Sequence, residues 1–355
     1  MDIQVKAQNG EYDITISPGI LQTAGEEAAR LFSGRRAVLV SDRTVASLYM
    51  AIVSDSLKRS GFQVSNYIVP PGETSKSSKY LHILYDKFHE AGINRSDVVI
   101  ALGGGVVGDL TGYAAATWLR GCCLLQIPTS LLAQVDSSIG GKTAINMPYG
   151  KNVIGTFYQP HRVLIDPDIL STLSERHYAE GMAEIIKTGC ISDAALFDSL
   201  ESGEYDLVEV IFRCIQIKRD IVEKDALDKG ERMVLNFGHS LGHALEKLSG
   251  YEHMTHGEAV SIGMVYASLI GEEMGVTPKR TACRIADVLK SMKLPVSTDI
   301  GGERIFEAML SDKKYLGDQI HFILLQKIGE SAVFPLSPET VRSLVTTVLE
   351  TGLPR

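Results

Sequence analysis

An α/β domain built on a parallel sheet, followed by a mainly α-helical domain, is the fold that the sequence predicts. Over the first 170 residues, short apolar runs alternate with amphipathic stretches: Ala37-Val38-Leu39-Val40, Tyr67-Ile68-Val69, Val98-Val99-Ile100-Ala101-Leu102 and Leu124-Leu125-Gln126-Ile127. Such alternation is the pattern of a parallel sheet covered by helices. Beyond about residue 168 the pattern changes to one helical period after another, at 206–222, 236–248, 257–274 and 281–292. A length of 355 residues also exceeds the usual size of one domain. The boundary is placed so that residues 1–170 form the α/β domain and 171–355 the helical one.

Two alternating segments flank Asn9-Gly10, a favoured hairpin turn, and this hairpin is expected to begin the first domain. In the second, Ile320-His321-Phe322-Ile323-Leu324-Leu325, between Gly317 and Gly329, reads as a short strand. With 45% hydrophobic and 22% charged residues, the chain has the composition of an ordinary globular protein with ample core.

Composition also excludes several functions. Asp109, Arg120 and Asp136 interrupt the most apolar stretches, so no run reaches the roughly 18 to 20 residues that span a bilayer. The opening Met1-Asp2-Ile3-Gln4-Val5-Lys6 lacks a signal-peptide pattern, and a cytoplasmic location is expected. Cys122, Cys123, Cys190, Cys214 and Cys283 are odd in number and show no CxxC spacing. They are read as reduced thiols and not as a zinc site. A net charge of −8 argues against a nucleic-acid partner. A small anionic substrate requires that lysines converge locally.

Gly103-Gly104-Gly105-Val106-Val107-Gly108-Asp109 follows a buried strand and opens a helix, where backbone N–H groups can face a pyrophosphate. The alternative is a tight turn. In the usual dinucleotide fold such a loop follows the first strand; here it follows the third. Asp42, just past an earlier strand, is the candidate for the ribose hydroxyls, or else a helix N-cap.

Four of nine histidines lie between residues 239 and 256. His239 and His243 share one helix face at i, i+4, a spacing that suits a metal or two imidazoles around one substrate. Glu184 and Lys187 stand on one turn among Met182, Ala183, Ile185 and Ile186. That surround favours a buried pair over a solvent-facing one, and a His, His, Glu set with an open position suits catalytic zinc.

Taken with Pro71-Gly72-Glu73-Thr74-Ser75-Lys76, Asp136-Ser137-Ser138-Ile139-Gly140-Gly141-Lys142 and Gly150-Lys151-Asn152, these motifs closely resemble the 3-dehydroquinate synthase family of sugar-phosphate cyclases. The resemblance runs nearly end to end. It implies a nucleotide-binding α/β domain, a helical metal- and substrate-binding domain, and a homodimer. It implies one divalent ion, zinc or cobalt, held by Glu184, His239 and His256, with His243 left for substrate. For NAD it implies Asp42, Glu73, Lys76, Gly104, Gly105, Val106, Asp109, Thr129, Ser130, Lys142, Lys151, Thr172 and Leu173. For substrate it implies Asp136, Lys142, Asn152, Lys187, Lys218, Arg232, Asn236, His243 and Lys314, with Arg120 reaching the partner subunit's site. Ala226 and Asp228 stand where the family usually has Glu, and Thr44 where some members have Asn.

The implied reaction converts 3-deoxy-D-arabino-heptulosonate 7-phosphate to 3-dehydroquinate and phosphate. Oxidation, phosphate elimination, reduction, ring opening and aldol closure occur at one site, with NAD regenerated. The metal would steady developing alkoxide charge. Lys142, Asn152, Lys314 and the partner's Arg120 would hold the phosphate, and His243 would transfer a proton. Arg232 and Asn236 would hold the carboxylate. Arg232 lies four residues before Asn236 and seven before His239. That places them near one face if the helix extends back so far; the alternative is a surface arginine. Rival readings are another cyclase such as a 2-deoxy-scyllo-inosose synthase, a metal-dependent polyol dehydrogenase, and a non-catalytic NAD-binding regulator, whose metal set would be broken.

Overall fold

The computed structural model describes the whole chain apart from Asn9, Lys229, Tyr251, Glu252, residues 311–318, Pro354 and Arg355. The expectations that fall on Asn9, Lys314 and Gly317 therefore lie outside the described residues. The chain divides into two compact units: Met1–Ser174 with Lys218–Leu227, and Glu175–Ile217 with Asp228–Arg355.

The first unit opens with an antiparallel pair, β1 (Asp2–Ala7) and β2 (Gly10–Ile16). Next come α1 (Ala24–Leu31), β3 (Arg36–Asp42), α2 (Arg43–Val45), α3 (Ala51–Arg59), β4 (Gln63–Val69), α4 (Ser78–Glu90), β5 (Val98–Gly103) and α5 (Gly105–Thr117). The unit continues with β6 (Cys123–Pro128), an antiparallel hairpin of β7 (Lys142–Met147) and β8 (Gly150–Phe157), and β9 (Arg162–Ile165). Seven strands form one sheet in the order β1-β2-β9-β6-β5-β3-β4, parallel at every pairing except β1 with β2.

Successive side chains of a strand point to opposite faces, and here both faces are buried. Ala37, Leu39, Ile100 and Leu125 pack with Ala24, Ala28, Val53 and Leu57 of α1 and α3. Val38, Val40, Val99 and Leu124 pack with Leu84, Phe88, Leu110 and Ala114 of α4 and α5. Two cores fed by the same strands explain their unbroken apolar runs. The strand β9 and the hairpin β7–β8 were not expected from sequence.

The second unit contains α6 (Glu175–Ser192), α7 (Ala194–Ser202), the first part of α8 (Leu207–Lys224), α9 (His239–Leu248), α10 (His256–Glu273), α11 (Thr281–Ser291) and α12 (Gly302–Leu310). It ends with β10 (Ile320–Lys327), β11 (Glu330–Leu336) and α13 (Pro338–Thr351). Helix α10 is buried around its whole circumference from Ala259 to Glu272, which marks it as the central helix of this unit. The late strand has a partner not foreseen from sequence, β11, which pairs with it antiparallel.

Where one helix was expected over 236–248, a 3-10 turn (Glu231–Asn236) precedes α9 and is separated from it by Gly238 at φ 79°. Only glycine adopts that left-handed geometry readily. The helix does not extend back to Arg232. Among the described residues, no helix is long and apolar enough to cross a membrane. All five cysteines are free thiols.

Candidate active site

In the second unit, α6 runs through apolar surroundings from Ala179 to Ile191, burying Glu184 and Lys187, each 2% exposed. Lys187 Nζ donates to Glu184 Oε2, so the pair is buried and not solvent-facing. Glu184 Oε1 is buried without a hydrogen-bond partner. His239 Nε2 stands 3.7 Å from it and His256 Nε2 3.6 Å. The ligand atoms of these three residues all lie within 4.8 Å of one another.

Close helix contact creates this convergence. A Cβ on Gly263 of α10 would fall 1.9 Å from the Gly238 carbonyl oxygen, and one on Gly257 would fall 2.6 Å from Glu180 Cα of α6. These positions admit no side chain, and so α10 approaches its neighbours closely enough for His256 to meet Glu184. The His239 ring stands 5.1 Å from that of His256 and 5.5 Å from that of His243.

The electrostatics suit a cation. Burial would raise the Glu184 carboxyl, but Lys187, His256 and His239 hold it well below the usual range. Burial and the Lys187 ammonium keep His239 neutral, far below its ordinary value. With Phe237 O 3.1 Å from His239 Nδ1, that nitrogen carries the proton and Nε2 presents its lone pair. Burial would lower His256 too, yet the Glu184 and Glu246 carboxylates lift it to about 10. A carboxylate oxygen with no hydrogen bond and two facing imidazoles fits a divalent metal with an open position.

Arg232 is 2% exposed, which excludes the surface-arginine alternative. It sits in the 3-10 turn that Asn236 closes. His243 is half-buried on α9. Asp228 adopts φ 57°, a left-handed position that Asp tolerates better than Glu, which accounts for one departure from the family pattern.

In the first unit, the chain order reverses between β3 and β5, and ligands of open α/β sheets bind at such a switch point. Ser41 is in register with Leu102, so Asp42 and Gly103 leave the sheet side by side. This is why a loop after the third parallel strand can share a site with Asp42. The Asp42 Oδ1 accepts from Thr44 N at 2.8 Å and Val45 N at 3.1 Å, so Asp42 is an N-cap through this one oxygen, a role that does not exclude the ribose contact.

Gly104 is the N-cap of α5 and supplies no side-chain bond to its first turn. A Cβ at Gly105 would lie 3.0 Å from Ser137 Oγ, a buried hydroxyl without a partner, and one at Gly104 would lie 3.3 Å from Ser130 Oγ. Val106 stands in the same half-buried first turn. An uncapped helix start beside an orphan hydroxyl, where a Cβ would crowd two serine side chains, fits a dinucleotide phosphate. Thr129 N donates to Gly103 O at 3.0 Å and ties the next strand's end to the loop.

Lys76 is buried and paired with Asp109 of α5. Burial pushes the Asp109 carboxyl up while Lys76 pulls it down. Lys218 Nζ donates to Asp136 Oδ1 at 2.7 Å. Thr172 Oγ1 is 2.6 Å from the Tyr49 hydroxyl, and Leu173 N donates to Leu170 O at 3.0 Å. Lys142 opens β7 with its side chain exposed, and Lys151 lies in β8. Arg120 is exposed in a turn where Leu119, Arg120 and Gly121 all have positive φ.

Two residues escaped the sequence reading. Asn146 donates from Nδ2 to Glu73 Oε1 at 2.7 Å, donates from its backbone N to Lys76 O at 2.8 Å and accepts from Asn152 N at 2.9 Å. It joins three foreseen positions. Glu246 lies on the histidine face of α9, at i+3 from His243; that period was the available signal.

Residues 66–180 match the model of the 3-dehydroquinate synthase N-terminal domain, and 181–315 match that of its C-terminal domain. The chain belongs to the 3-dehydroquinate synthase family. A 3-dehydroquinate synthase of Enterococcus faecalis is 46% identical over 352 residues, covering 97% of this chain and 98% of the relative. A solved 2-epi-5-epi-valiolone synthase from Streptomyces hygroscopicus, with NAD+ and Zn2+ bound, is 28% identical with a TM-score of 0.87 over 98% of this chain and 99% of that one. A 2-deoxy-scyllo-inosose synthase complexed with carbaglucose-6-phosphate, NAD+ and Co2+ is 26% identical with a TM-score of 0.86 over the same shares. Of the rival readings, the other cyclase is thus matched in fold at lower identity, while the synthase reading is matched by family and by sequence. The family is one of phosphorus–oxygen lyases.

Proposed function

We propose that this chain converts 3-deoxy-D-arabino-heptulosonate 7-phosphate to 3-dehydroquinate and phosphate, using NAD and one divalent metal, zinc or cobalt. The observation that carries the reading is the buried, unpartnered Glu184 Oε1 faced by two imidazole nitrogens, in a chain of this family. Glu184, His239 and His256 hold the metal, and the start of α5 with Asp42 holds the dinucleotide. When bound, NAD takes and returns a hydride, and the metal polarises substrate oxygens.

The remaining steps fall to side chains that bind, orient and move protons. Lys187, paired with Glu184, orients a substrate hydroxyl. His243, half-buried beside His239, exchanges a proton with a substrate oxygen. Arg232 and Asn236 hold the carboxylate, the guanidinium through its planar fork. Lys142, Asn152, Lys314 and the partner's Arg120 hold the phosphate, while the Lys218–Asp136 pair orders the segment leading to Lys142. The first unit is the NAD domain and the second the metal and substrate domain. The protein works as a cytoplasmic homodimer.

The test measures phosphate release from the heptulosonate phosphate, with and without NAD and a chelator. Release that needs both cofactors and yields no net NADH is expected. Preference for a hexose 6-phosphate would favour the other cyclase, and net NADH from polyols without phosphate release would replace the reading by a dehydrogenase.

A further inference from the structure

On α9, His239, His243 and Glu246 recur at i, i+4 and i+7, which is one helix face. Glu246 is only 5% exposed. A carboxylate that deep persists where a partner compensates its desolvation. Its Oε2 lies 3.5 Å from His256 Nδ1, while the opposite nitrogen of the same ring, Nε2, lies 3.6 Å from Glu184 Oε1. The imidazole of His256 is thus addressed at both nitrogens. His239 shows the same arrangement with a different acceptor, its Nδ1 meeting the Phe237 carbonyl at 3.1 Å and its Nε2 facing Glu184. Each imidazole has an acceptor behind it, a backbone oxygen in one case and a side-chain carboxylate in the other.

We propose that Glu246 is a positioning residue for the metal: its carboxylate accepts the His256 Nδ1–H, fixes the ring plane and the tautomer, and leaves the Nε2 lone pair for the ion. The proposal rests on the assignment of His256 as a ligand. Partners of this kind, behind a metal-bound imidazole, change metal affinity about 10- to 100-fold when removed. Glu246 also lies with His243 and His256 in a second group whose ligand atoms fall within 4.8 Å of one another. A separate metal there would take His256 Nδ1 and leave the ring bridging two ions; the positioning role excludes this.

The experiment uses the full-length protein and zinc, with affinity and off-rate followed by a chromogenic chelator, for wild type, Glu246→Gln, Glu246→Ala, His256→Ala and the double variant His256→Ala with Glu246→Gln. One zinc per chain is expected, with affinity about 10-fold weaker in Glu246→Gln, which keeps an acceptor oxygen but not its charge. Glu246→Ala should lose up to about 100-fold and release zinc faster. In the His256→Ala background, Glu246→Gln should change affinity no further, because the group it acts through is gone. Additive losses would show a general charge or folding effect and overturn the proposal, as would two zinc ions per chain. Full zinc affinity in His256→Ala would remove the ligand assignment itself. Loss in His256→Ala with wild-type affinity and off-rate in Glu246→Gln would remove only the role of Glu246. Since the amide matches the acid in size, Glu246→Gln tests the idea even if Glu246→Ala fails to fold.

Discussion

Glu184 carries one oxygen bonded to the Lys187 ammonium and one with no hydrogen bond, both inside an apolar helix face. Removing Lys187 leaves Glu184 only the His256 ring as a charged neighbour, 3.6 Å from its other oxygen, and breaking a buried pair costs up to about 3–5 kcal/mol. Lys187→Met should therefore destabilise the metal-free protein by about that much in urea denaturation, and zinc should recover part of the loss by pairing with Glu184. Equal losses with and without zinc would contradict the ligand role. His256 gives a pH prediction. Its folded-state value, lifted to about 10 from 6.5, stabilises the metal-free protein fully below 6.5, and this gain is lost as pH rises through 10. A metal needs the neutral ring, so between those values uptake expels a proton and affinity rises about tenfold per pH unit. Calorimetry at about pH 8 in two buffers of different ionisation enthalpy should count about one proton released per zinc. A count of zero would mean that the ring is neutral before the metal arrives.

Helix α10 begins with a capping box: Thr255 Oγ1 accepts from Glu258 N at 3.3 Å, and Glu258 Oε2 accepts from Thr255 N at 2.8 Å. Arg176 of α6 grips the same carboxylate with two bonds of 2.8 Å. His256 is the first residue of this helix, so the cap also aims a ligand. Thr255→Ala should cost about 1 kcal/mol in stability and weaken zinc binding as well. Gly263→Ala should cost more, since its methyl would fall 1.9 Å from the Gly238 oxygen and must part α9 from α10. If the thermal midpoint and zinc affinity of Gly263→Ala matched wild type, close approach would not be what brings His239 to His256. The same elements show what a sequence can reveal. Strands β3, β5 and β6 were legible because two cores bury both faces. By contrast, β9 has only four residues, and β7 carries a register irregularity between Ile145 and Met147 that breaks its alternation. The break at Gly238 was hidden because glycine within a helical pattern does not declare its φ. Glu184, His239 and His256 were visible as a cluster, yet choosing His256 over His243 as Glu184's neighbour depends on a helix crossing. Asn146 was illegible because an amide in a strand usually faces water, and Glu246 was passed over, despite its spacing from His243, because an acid on a helix usually does so too.

On the scale of the whole molecule, an acidic chain keeps the buried lysines among its described residues beside carboxylates. Lys76 pairs with Asp109, Lys218 with Asp136 and Lys187 with Glu184. Positive charge is present at the foreseen anion-binding positions without raising the net charge above −8. The two units should also respond to different ligands, because a ligand stabilises the state that binds it. In hydrogen exchange, zinc should slow the amides of α6, α9 and the start of α10, whereas NAD should slow the end of β5 and the first turn of α5. Zinc protection confined to the first unit would reverse the assignment of the two sites.

The first unit is not contiguous in sequence, because Lys218–Leu227 belongs to it. Synthesis runs at roughly 5–20 residues per second, so the nascent sheet waits for several seconds before that segment leaves the ribosome. Until then Asp136 lacks the Lys218 ammonium. Translation therefore cannot finish the first unit and then begin the second; the first is completed only after much of α8 has been made. A chain released at Ser174 would carry every strand of the sheet and still lack the segment that brings Lys218 to Asp136.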